Sequence, residues 1–109
     1  MDETRVQFLE EAIRRSPGDS FARYALALEL LNSGKTDEAW KHFEYLLENN
    51  PDYAATYYQA GMLLVKQGRG SEARQVFQRG IEVTGKQANR HAQSELQAAL
   101  DSLADESDP

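Results

Sequence analysis

Residues 20–85, SFARYALALELLNSGKTDEAWKHFEYLLENNPDYAATYYQAGMLLVKQGRGSEARQVFQRGIEVTG, contain one pattern written twice. A shift of 34 residues places Tyr24 on Tyr58, Ala27 on Gly61 and Leu30 on Leu64. It also places Gly34 on Gly68, Ala39 on Ala73, Phe43 on Phe77 and Leu47 on Ile81, with no insertion or deletion between the copies. Small, aromatic and aliphatic residues each recur at their own places, which random composition rarely produces. A repeat of this length is the mark of stacked helix pairs, each burying the apolar face of its neighbour.

Working outward, Val6, Leu9, Ala12 and Ile13 form one stripe of an amphipathic leading helix over 4–15. Ser16-Pro17-Gly18 ends it, because the residue before a proline is pushed out of the helical region. Asp19 or Ser20 can cap the second helix, which carries Phe21, Tyr24, Ala27, Leu28 and Leu31 and is widened by Leu26 and Leu30. Asn32-Ser33-Gly34 closes it. Thr36 is the expected cap of a third helix bearing Ala39, Phe43, Leu46 and Leu47, with Trp40 beside that stripe. Asp52 is the expected cap of the fourth, which carries Tyr53, Tyr57, Tyr58, Gly61, Leu64 and Val65. A fifth helix holds Ala73, Val76, Phe77, Gly80 and Ile81 and ends near Thr84-Gly85. Beyond it, 88–104 reads as a closing helix and 105–109 as a short acidic tail. No stretch alternates at period two for long enough to argue a strand. The expected fold is all-α, an antiparallel helix-pair solenoid of about six helices. One domain, 1–104, would comprise the leading helix, repeats at 20–53 and 54–87, and the closing helix.

Composition bounds the function. The chain of 109 residues is 40% hydrophobic and 28% charged, the balance of an ordinary folded domain. A formal charge of -6 argues against nucleic acid or an anionic membrane as the main partner. There is no cysteine, so thiol catalysis and thiolate metal sites do not arise. No stretch approaches the roughly 20 apolar residues that span a bilayer, and no signal-like run opens the chain; a cytoplasmic location is the expectation.

The pattern resembles the tetratricopeptide repeat, whose signature is W-x2-L-G-x2-Y, then A-x3-F, then P. The first copy offers Leu26-Ala27, Leu30, Ala39, Phe43 and Pro51. The second offers Tyr57 at the tryptophan place, then Ala60-Gly61, Leu64, Ala73 and Phe77, with Gly85 for the closing proline. Two departures stand out: Arg23 occupies the large aromatic position, and Leu46 replaces a small residue. Ala27 and Gly61 are expected to let helix backbones approach, with Phe43 and Phe77 plugging between them.

The resemblance implies a groove lined by the first helix of each pair, which in this family often receives a peptide. Carried over position by position, that face comprises Phe21, Tyr24, Leu28 and Leu31 in the first copy. In the second it comprises Ala55, Tyr58, Met62 and Val65, continued by Ala92 and Leu96 on the closing helix. Tyrosine and methionine suit a protein-binding surface. The lysines and asparagines with which some family members clamp a carboxylate are missing, so an apolar or mixed peptide is the expected partner. Self-association as a homodimer is the alternative, with Trp40 and Leu46 as candidates for outer exposure. Binding requires an apolar stripe that stays open to solvent; a purely structural role requires it covered.

Chemistry finds little support. Gly68-Arg69-Gly70-Ser71-Glu72-Ala73 fits a relaxed dinucleotide fingerprint, but a helix rather than a strand enters it. His42 has Glu38 a turn earlier and His91 has Glu95 a turn later, each a surface pair, on helices separated by two others. An enzyme would have to use one of them. The expectation is no catalysis, no metal and no cofactor.

Overall fold

The computed structural model describes residues 3–107. The described residues form six α-helices: α1 Glu3–Arg15, α2 Ser20–Asn32, α3 Thr36–Asn49, α4 Ala55–Lys66, α5 Gly70–Lys86 and α6 Arg90–Ser107. None of them is long and apolar enough to cross a membrane. The chain divides into two compact units, Met1–Tyr53 and Ala54–Pro109, and the division falls where the second copy of the repeat begins.

In the first unit α1 packs on α2 and α2 on α3. Four residues join α1 to α2 and three join α2 to α3, so packed neighbours must run antiparallel. The core is Val6 and Leu9 from α1, Ala22, Ala25, Leu26, Ala27 and Leu30 from α2, and Ala39, Phe43, Leu46 and Leu47 from α3. In the second unit α4 packs on α5, α5 on α6, and α4 also on α6. Tyr57, Ala60, Leu63 and Leu64 from α4 are buried, as are Ala73 and Phe77 from α5 and Leu96 and Leu103 from α6. A Cβ at Gly61 would overlap the Phe77 ring, so the missing side chain is what lets that ring sit against α4.

One turn is used three times. Gly34, Gly68 and Ala88 have φ of +79°, +76° and +56°. The following amides, of Lys35, Arg69 and Asn89, donate to Leu30, Leu64 and Thr84 carbonyls at 2.9 Å each. This is a Schellman closure. Its last residue also serves as N-cap of the next helix, which corrects the expectation that Thr36 caps α3. Lys35 is the cap, without a side-chain bond, and Thr36 already lies inside the helix. Asp52 does not cap α4 either: residues 51–54 form a turn, and α4 starts at Ala55 behind Ala54. Asp19 does cap, its carboxylate accepting from the Ala22 amide at 3.0 Å. The closing helix begins at Arg90 and runs through 105–107, which the sequence assigns to a tail; 108–109 lie outside the described residues.

The two copies exchange partners at one contact. In the first, the Arg23 guanidinium on α2 lies 3.7 Å from the Tyr45 ring centroid on α3. In the second, the same two positions hold Tyr57 on α4 and Arg79 on α5, with the cation 5.8 Å from the ring. Position 46 changes with them. Gly80, its equivalent, stands under Tyr57, and a Cβ there would come within 2.6 Å of the Tyr57 Cβ. Where Arg23 replaces the ring, Leu46 is large and fully buried. The departures at 23 and 46 thus stand at the two positions that the second copy fills with Tyr57 and Gly80, which meet across α4 and α5.

Candidate functional site

In the second unit α4 and α6 leave an open groove of about 360 Å³ between them. Tyr58, Met62 and Val65 line it from α4, at the i, i+4, i+7 spacing that puts them on one helix face. Glu95, Ala98, Ala99, Ser102 and Leu103 line it from α6. Tyr58 keeps 37% of its surface exposed, and Met62 and Val65 are half-buried. The floor is apolar, the alanines keep it open, and the hydroxyls of Tyr58 and Ser102 with the Glu95 carboxylate supply its polar groups. Such a cleft holds an apolar side chain and orients what lies beside it.

The structure places the other expected face residues variously. Ala55 is exposed and Ala92 half-buried. Leu96 is 1% exposed and belongs to the core, packed at the Gly80 backbone. The repeat register, extended past its end to 92 and 96, therefore misses the groove wall. The signal that finds it is the spacing of Glu95, Ala98, Ala99 and Ser102 along α6 itself, three and four residues apart.

In the first unit Phe21 projects from the first turn of α2 with 66% of its surface exposed. Tyr24, Leu28 and Leu31 are half-buried. The Tyr24 ring is held between Phe43, edge-on with centroids 6.4 Å apart, and Tyr53 at 5.7 Å. It is as much a packing residue as a surface one. Trp40 is half-buried and Leu46 fully buried, so Leu46 offers nothing to an outer interface. The exposed apolar residue on this unit's leading helix is instead Phe8, at 72%.

The two histidines sit in different surroundings. His42 is half-buried on α3, its Nδ1 3.5 Å from Arg23 Nη1. Burial, then the Arg23 charge, hold its pKa below the ordinary 6.5, against weaker opposing pulls from Glu10 and Glu38. Arg23 also donates to the Pro17 carbonyl at 3.3 Å, so the cluster ties the α1–α2 turn to α3. His91 is exposed on α6, 3.5 Å from Glu95. Among the described residues no group of three or more histidines and carboxylates is placed to hold a metal ion. The Gly68–Ala73 stretch is the Schellman turn and first turn of α5, where Glu72 pairs with Arg69 at 2.5 Å.

Comparison with known proteins agrees with this geometry. The tetratricopeptide repeat model matches residues 24–89, more than half of the chain. The solution structure of a tetratricopeptide repeat domain protein from Salinibacter ruber is 39% identical, with a TM-score of 0.77 over 81% of this chain and 89% of that one. Protein BPP2914 from Bordetella parapertussis superposes with the same TM-score at 25% identity, over 93% of this chain and 88% of that one. A TPR repeat-containing protein of Pseudomonas aeruginosa, PA0015, is 22% identical over 98 residues, 90% of this chain and 93% of its own length. The repeat register, the small-residue contacts at 61 and 80, and these likenesses coincide: the chain belongs to the tetratricopeptide repeat family.

Proposed function

We propose that this protein is a non-catalytic interaction module that takes up a peptide or protein segment on the faces of its first-in-pair helices. Tetratricopeptide repeats serve protein–protein contacts as a class. For this chain the reading is carried by the α4–α6 groove, whose apolar lining of Tyr58, Met62 and Val65 stays open to solvent. A helix face that served packing alone would be covered. The half-exposed Leu28 and Leu31 and the projecting Phe21 offer a comparable face on α2.

Affinity capture from the native lysate tests this, with the intact protein run beside a Tyr58→Ala/Met62→Ala variant. Tyr24 is a poor choice for substitution because its ring packs on Phe43 and Tyr53. A partner retained by the intact protein and lost by the folded variant supports the module. Equal retention by both sinks the groove assignment. A second reading, self-association as a homodimer, draws on Phe8 and Phe21, large rings that are mostly exposed. Light scattering decides it: a monomer at high concentration removes it.

A further inference from the structure

We infer that the segment held by the α4–α6 groove pairs an apolar anchor with a neighbouring lysine or arginine, the cation resting on Glu95. This deepens the binding reading above and rests on it. Of the eight lining residues, Glu95 is the one that carries a full charge. Its companion on the helix, His91, is exposed and 3.5 Å away, and makes an ion pair only when the imidazole is protonated. The Glu95 carboxylate stands beside the apolar lining, where a cation on a bound segment can pair with it.

The geometry sets the layout. Glu95 and Leu103 lie eight residues apart on α6, about 12 Å along the helix. That distance matches roughly four residues of extended peptide. The apolar stretch of α6 toward Leu103 suits a leucine, methionine or phenylalanine. The Glu95 end suits the cation, and the Tyr58 and Ser102 hydroxyls can accept from or donate to the peptide backbone. An acidic segment or a free carboxylate would meet both Glu95 and a chain of net charge -6. Like charge at the rim discriminates against such partners more sharply than it strengthens the right one.

The test is selection from a random linear peptide library displayed on phage, panned against the immobilised full chain and its variants. Peptides taken by the intact protein are expected to carry lysine or arginine beside an apolar residue. Against Glu95→Gln the apolar preference should persist while the basic one disappears. A synthetic peptide from the first selection should bind that variant roughly two- to fivefold more weakly, with less dependence on salt. Glu95→Lys should turn the preference toward acidic residues. Basic enrichment that survives Glu95→Gln, or apolar peptides without basic residues on the intact chain, overturns the inference and leaves the module standing. If no peptide is selected, or if the selected ones bind Met62→Glu undiminished, the groove itself fails and the inference with it. Circular dichroism checks that Met62→Glu is folded; Tyr58→Ala, at a partly exposed position, replaces it if not.

Discussion

At the scale of single residues, the three Schellman turns make an internal comparison. Two have glycine in the left-handed position and the third has Ala88 at φ +56° with the same closing bond. An alanine there has its Cβ crowded by the following carbonyl, at a cost of about 1–2 kcal/mol. Ala88→Gly is therefore expected to raise stability by about 1 kcal/mol despite glycine's larger unfolded-state entropy. Urea denaturation reads this directly, and an unchanged or lower midpoint would show that the turn carries no strain. His42 gives a prediction with pH. Burial and Arg23 hold its pKa below 6.5 in the folded protein, so between that lowered value and about 6.5 the unfolded chain binds more protons. Stability from the neutral imidazole is complete above 6.5 and falls as the solution is acidified through the window. His42→Gln should flatten stability between pH 7.5 and 5.5, before most carboxylates titrate. An identical slope in both proteins would assign it to other groups.

At the scale of elements, the helices are set by a small-residue rule that the sequence makes partly visible. The matched pairs Ala27/Gly61 and Phe43/Phe77 announce close helix contacts, and the overlap of a Cβ at 61 with the Phe77 ring is the physical reason. The exchange between Arg23/Leu46 and Tyr57/Gly80 reads in sequence as two unrelated departures. Only the facing of α4 and α5 shows that Gly80 exists to accommodate Tyr57. Gly80→Ala should therefore destabilise by about 1–3 kcal/mol. Thermal denaturation reads this, and an unchanged midpoint would mean that the Tyr57–Gly80 contact is not the constraint. Helix ends were less legible. Thr36 and Asp52 have capping chemistry, yet the Schellman closure uses residue 35 as the cap and the 51–54 turn delays α4. The groove wall on α6 is not legible for a related reason: past Gly85 the repeat no longer dictates which face is buried, and Leu96 turns to Gly80.

At the scale of the whole molecule, the two units differ in how their helices close. In the second, α4, α5 and α6 each touch the other two. In the first, α1 packs chiefly on α2 and buries Val6 and Leu9, while Phe8 remains exposed. Two buried aliphatic residues secure a 13-residue helix weakly, since helices of that length have little stability of their own. Salt links do not change this: Arg5 meets Glu29 at 2.7 Å, and Arg14 and Arg15 both meet Glu11, but in each pair the arginine is at least half exposed. The stability of a stacked-repeat protein is a sum of local terms, so such a helix opens before the rest. The groove, by contrast, is bounded by two helices that pack on each other and share α5 as support, which favours a cleft that is formed in advance of any occupant. Native-state amide exchange tests both halves of this argument. The interior amides of α1 should exchange through a local opening insensitive to low denaturant. Those of α4 around Leu63 and of α6 around Leu96 should exchange only through the larger unfolding event, with matching denaturant slopes. Protection in α1 equal to that in α4 would mean that the leading helix is integral to the fold, and fast exchange along α6 would mean that the groove is assembled on binding.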